Sequence, residues 1–159
     1  MIGDAFVFDG VAHPFNFTAK NVYDRAGEMF RQHLYAFHQV LTPDTEPKLS
    51  AEQYLKDWTP ADIHEMVFDH SDTDMLVAMP LPLTDLFRDG LSPWEDCAEL
   101  AQRDPNRTVF WGSVNPLEGR RAIDLMERQV GEFGAKAFKF YNVRYDYGSP
   151  FPWRMDDPR

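Results

Sequence analysis

Short apolar runs alternate with stretches of helical periodicity along this chain. The runs are Ala5–Val11, Met75–Met79, Thr108–Val114 and Ala135–Tyr141. A continuous stretch such as Phe6-Val7-Phe8 predicts a strand covered on both faces in a parallel sheet. After the first run, Ala26, Met29, Phe30, Leu34, Phe37 and Leu41 recur at three- and four-residue steps, predicting a helix from about Val22 to Leu41. Pro43 and Pro47 mark a loop over Thr42–Leu49. Shorter helices follow over Ala51–Trp58 and Pro60–Asp69, the second with Thr59 as N-cap and Pro60 in its first position. Ser92-Pro93-Trp94-Glu95 carries a capping-box pattern and opens a helix to about Arg103. The third run reaches Asn115-Pro116, and a helix over Leu117–Phe133 is expected to close at Gly134 in a left-handed cap. After the fourth run comes a loop, and Asp156-Asp157-Pro158 reads as the start of another helix.

A strand–helix alternation of this kind builds a parallel sheet or an eight-stranded barrel. The expected class is therefore α/β: four parallel strands with outer helices, the N-terminal half of a (β/α)8 barrel. Residues 1–159 would form one partial barrel domain, breaking off as the next helix begins. The region between the first two strands is about twice an ordinary crossover and is expected to elaborate one face. In such a half, the first and fourth strands are edges and apolar surface stays uncovered, so a homo-oligomer is expected.

Composition narrows the function. A hydrophobic share of 43% is that of a globular chain, and a net charge of -10 with no Lys/Arg cluster argues against nucleic acid. Nothing approaches the roughly 20-residue apolar run of a membrane span. The acidic start Met1-Ile2-Gly3-Asp4 does not read as a secretory signal. Cys97 is the single cysteine, so no intrachain disulfide can form; with that, a cytoplasmic protein is expected. Its neighbours Asp96 and Glu99 disfavour a thiolate and give it a structural reading.

Parallel strands joined by helices present function at their C-terminal ends, here His13–Phe17, Pro80–Pro82, Asn115-Pro116 and Tyr141 onward. A dinucleotide site would need a glycine-rich turn after the first strand, and only Gly10 is there. Strand alternation places Asp9, Val11 and His13 on one face. His13 could ligate a divalent metal or merely hydrogen-bond its loop. Ala137, Lys139 and Tyr141 share a face, so Lys139 is expected to point inward, binding a substrate carboxylate or pairing with a carboxylate of the protein. His33, His38, His64 and His70 lack metal-ligand spacing and read as helix-surface residues. Tyr145, Tyr147, Phe151, Trp153 and Arg154 crowd the final loop, as a pocket rim or as packing under further barrel elements.

The order of these segments resembles the amidohydrolase superfamily, in particular the amidohydrolase-related branch similar to aminocarboxymuconate-semialdehyde decarboxylase. Asp9-Gly10-Val11-Ala12-His13 is similar to its opening Asp-x-His-x-His motif; Asp74–Pro80 and Phe110–Pro116 are similar to its second and third strands. Gly134–Tyr141 is similar to its fourth. The resemblance implies a metal-dependent enzyme, with zinc or manganese as the cofactor and His13 at the second ligand position. Val11 stands at the first, where valine cannot bind a metal. Asn16 occupies a place where some members carry an acidic residue, implying a weak ligand or a substrate contact. Asn16, Lys139 and Tyr141 are thus the candidate substrate-binding residues. The remaining family ligands would fall beyond Arg159.

The implied activity is hydrolysis or non-oxidative decarboxylation of a small carboxylate-bearing substrate. Two rivals stand beside it. One is a barrel half that has lost catalysis and serves as a binding or regulatory module, which Val11 favours. The other is a plain fragment whose function belongs to a longer chain.

Overall fold

In the computed structural model, which describes residues 5–141, 143–146 and 149–152, the four expected strands form one sheet. They are β1 (Phe8–Ala12), β2 (Met75–Ala78), β3 (Thr108–Ser113) and β4 (Ala137–Lys139), in the order β1-β2-β3-β4 and parallel throughout. The helices are α1 (Arg25–Leu41), α2 (Ala51–Tyr54), α3 (Pro60–His64), α4 (Trp94–Arg103) and α5 (Arg120–Gly131). The α/β class and the parallel order follow the sequence pattern.

The main core lies between the sheet and α3 and α4. Leu76, Ala78, Phe110 and Ala12 from the strands meet Ile63, Phe68, Cys97, Ala98 and Leu100. A second core lies elsewhere. Phe17, Leu86, Phe87 and Leu91 pack with Phe30, Leu34, Tyr54 and Leu55. The long region after β1 therefore packs on the loop that follows β2. Gly27 makes that approach possible, since a Cβ there would overlap the Leu86 carbonyl oxygen.

Several local expectations are corrected. The first strand is an edge of the sheet, as expected, but Phe6, Phe8 and Val11 are at least half exposed instead of covered on both faces. It also carries a bulge: Asp9 lies opposite Leu76 but Ala12 opposite Ala78, three residues against two. Simple alternation is interrupted between Asp9 and Ala12, so it does not carry through from Asp9 to His13. The Ser92–Glu95 capping box does not form; α4 begins after Pro93 without a side-chain cap, and the Ser92 hydroxyl lies 3.6 Å from Cys97 Sγ.

The Thr59–Pro60 start of α3 is present, with Asp62 completing a capping box. This helix then widens into a π turn over Glu65–Asp69. Asn115 caps a single 3-10 turn, Pro116–Glu118, before α5. Gly134 adopts φ 73°, in the left-handed region expected of it. Beyond β4 the chain forms an antiparallel hairpin, β5 (Val143–Asp146) with β6 (Ser149–Pro152), where a loop was expected. Trp153, Arg154, Tyr147 and the helix start at Asp156–Pro158 lie outside the described residues.

Candidate binding cleft

A cleft of about 680 Å³ opens at the C-terminal ends of the strands. All four strand-end segments contribute: Asn16 after β1, Pro80 and Pro82 after β2, Ser113–Asn115 at the end of β3, and Tyr141 after β4. A parallel sheet places a site here because its loops converge at that edge.

Two loops are locked together by one buried amide. Asn21 Nδ2 donates to the carbonyls of Asn16 (2.9 Å) and Gly90 (2.8 Å), while its Oδ1 accepts from the Asp89 N–H (3.0 Å). The side chain thereby ties the segment after β1 to the loop after β2. Sequence reading missed Asn21; a polar residue amid Phe17, Val22 and the second core was the available signal.

Of the four expected site residues, Asn16 and Tyr141 line the cleft. Asn16 Oδ1 accepts from the Thr18 N–H (3.1 Å) and hydroxyl (2.7 Å), which occupies the oxygen that would ligate or contact substrate. Its remaining donor capacity is the NH₂ group.

His13 and Lys139 stand beside the cleft rather than in its lining. The His13 ring lies 5.1 Å from that of Phe15, and its Nδ1 bonds to the Met79 carbonyl. A carbonyl can only accept, so Nδ1 carries the proton and Nε2 the lone pair. Burial holds the His13 imidazole below its ordinary pKa range; the Met79 bond opposes this, while the Lys139 charge adds to it. His13 is accordingly neutral, with Nε2 as its ligating or accepting atom.

Lys139 is half-buried at the end of β4. Its carbonyl accepts from the Ser113 hydroxyl at 2.9 Å, and its Nζ lies 5.2 Å from the centre of the Tyr141 ring. Burial lowers its pKa, and burial likewise raises that of the Tyr141 phenol. Among the described residues, Lys139 makes no ion pair with a carboxylate. The structural pairing open at the sequence level is therefore not present among them.

The cleft wall is acidic. Asp57, Asp89, Glu95 and Asp96 line it together with Arg88 and Arg121. Loss of water raises the Asp96 pKa to about 6, and repulsion from Asp57, Glu99, Glu95 and Asp89 adds to the shift. Asp57 is raised for the same first reason, then by Asp62. Cys97 is buried, and burial pushes its thiol pKa far up, in keeping with a structural role.

The helix histidines also take positions. His38 stacks on Tyr54 at 4.8 Å and accepts the Leu49 N–H through Nε2, so it organises a loop instead of standing free on the surface.

A metal does not fit the described residues on their own. His13 offers one nitrogen, Val11 offers none, and the Asn16 oxygen is engaged. No group of three or more His, Cys, Asp or Glu side chains among the described residues is placed to hold an ion. Zinc takes four ligands in structural sites and three protein ligands plus water in catalytic ones. Among those residues, too, no helix is long and apolar enough to cross a membrane. Comparison of the chain with protein-family models, curated proteins and solved structures finds no match in any of the three.

Proposed function

We propose that this chain is the N-terminal half of an amidohydrolase-related (β/α)8 barrel enzyme, acting on a small carboxylate-bearing substrate by hydrolysis or decarboxylation. The observation that carries the reading is the convergence of four strand-end segments on one cleft, with His13 beside it. His13 donates Nδ1–H to a backbone carbonyl and keeps the Nε2 lone pair. That is the orientation in which metal-bound histidines are held. Lys139 and Tyr141, adjoining the same cleft, would meet the substrate carboxylate, and the Asn16 amide would donate to it. A zinc or manganese ion needs ligands that the described residues do not supply. Exposed Phe8 and Val11 on edge strand β1, with Phe6 just before it, support the expectation of a homo-oligomer.

The test is elemental analysis of the purified protein together with assays for carbon dioxide release and hydrolysis on small carboxylates. Metal and turnover that are both lost in His13→Ala would support the enzyme. Their absence from the wild-type protein would leave the non-catalytic binding module, the reading that Val11 favours.

A further inference from the structure

We propose that Lys139 is a carbonyl-reactive amine, which captures the aldehyde or ketone group of a small molecule at the cleft as an imine. Three placements carry this. Lys139 closes β4 at the functional edge of the sheet, and its backbone is fixed by the Ser113 hydroxyl. Its Nζ lies over the ring of Tyr141, which lines the cleft. No carboxylate among the described residues pairs with it, although the nearby cleft wall is rich in them. A half-buried lysine kept for structure takes a counter-ion, because an unpaired buried charge costs stability. One kept for nucleophilic chemistry is left without it.

Burial supports the same role by favouring the neutral amine over the ammonium. The step balances without a metal or a redox partner. The ammonium gives one proton to solvent, and the amine nitrogen attacks the carbonyl carbon. The C=O π pair moves to oxygen, which takes up a proton while the nitrogen, now positively charged, releases one of its two, giving a neutral carbinolamine. The C–O bond then breaks, oxygen leaves as water with a second proton, and the nitrogen lone pair forms C=N while the N–H proton departs. Amine plus carbonyl thus becomes imine plus water. The site takes small carbonyl compounds: the side chain that as an ammonium would meet a substrate carboxylate attacks a carbonyl as the free amine, and no metal is needed for that.

The experiment uses the 159-residue protein in EDTA, with glyoxylate as the probe and cyanoborohydride to reduce any imine. Peptide mapping at short times reads which lysine becomes N-carboxymethylated. The expected result is Lys139 modified before exposed Lys20, Lys48 and Lys136. In Lys139→Arg, with an unchanged circular dichroism spectrum, the early product is lost. Modification that follows exposure, or a Lys139 that stays unmodified in the wild-type protein, overturns the proposal. EDTA removes any metal, so this outcome is read independently of whether hydrolysis or decarboxylation is found.

Discussion

The carboxamide of Gln129 pairs with both backbone groups of Ser113: its Oε1 accepts the Ser113 N–H and its Nε2 donates to the Ser113 carbonyl, each at 2.9 Å. A fully buried helix side chain thus completes the end of a strand. Gly112 makes room for it, because a Cβ there would overlap Gln129 Oε1. Ser113 in turn holds Lys139, so α5 sets the position of the candidate lysine through two residues.

Replacing Gln129 with Leu leaves two buried backbone groups unpaired. Each costs on the order of 1–3 kcal/mol, so a loss of about 2–6 kcal/mol is expected. Chemical denaturation of the two proteins measures it, and a change under about 0.5 kcal/mol, the scatter of an ordinary surface substitution, would show that water replaces the amide.

At Asn21 two of the three side-chain bonds are only part-buried, so each counts at its net value of about 0.5–1.5 kcal/mol. Asn21→Ala removes three hydrogen bonds that join the loops after β1 and β2. We expect a loss of about 2–4 kcal/mol, with faster hydrogen exchange at the Asp89 amide. Unaltered exchange at Asp89 would mean that the second core alone holds the loops.

Gly27→Ala tests the contact between α1 and the loop after β2. Alanine favours an exposed helix by up to about 1 kcal/mol over glycine. Here its Cβ would overlap the Leu86 carbonyl, so the helix must shift. A net loss of about 1–3 kcal/mol is expected. A stabilised variant would show that the approach is looser than the structure has it.

Much of this architecture was legible in the chain, and the reasons differ by element. Leu76-Val77-Ala78 is buried, as a continuous apolar stretch implies, and the Thr59-Pro60 signal is local and complete. Phe6-Val7-Phe8 has the same pattern yet leaves Phe6 and Phe8 exposed, because an apolar run does not state which elements cover its faces. The β1 bulge depends on pairing with β2, which alternation within one strand cannot reveal. The Ser92 box failed since that hydroxyl is buried against Cys97. At the site, His13, Asn16, Lys139 and Tyr141 come to one end of the sheet as the strand-end rule implies. Asn21, Gln129 and the Asp57–Asp96 wall stayed hidden because their roles arise only from long-range packing.

Asp96 gives a pH dependence of definite sign. Its folded pKa of about 6 lies above the roughly 3.9 of an unfolded aspartate. The folded state therefore binds the proton more tightly, and its contribution to stability is present below about pH 4. It is lost as pH rises through about 6. Asp96→Asn should melt higher than the wild type at pH 7, and the advantage should vanish below about pH 4. Thermal melts across that range read it; a variant less stable at pH 7 would mean that a cation or donor compensates Asp96.

The final prediction concerns the gap in the ligand pattern. Val11 is exposed on the bulged edge strand, two residues before His13, whose Nε2 retains its lone pair. A histidine at Val11 would add a second imidazole without displacing any core side chain. Val11→His should therefore bind zinc more tightly than the wild type, which offers one imidazole where zinc wants three or four ligands. His13→Ala in that background should abolish the gain. Isothermal titration with zinc measures all three proteins, with circular dichroism to confirm the fold. Equal affinities would show that the bulge turns residue 11 away from His13, and the likeness of this segment to a metal-binding strand would then be one of sequence alone.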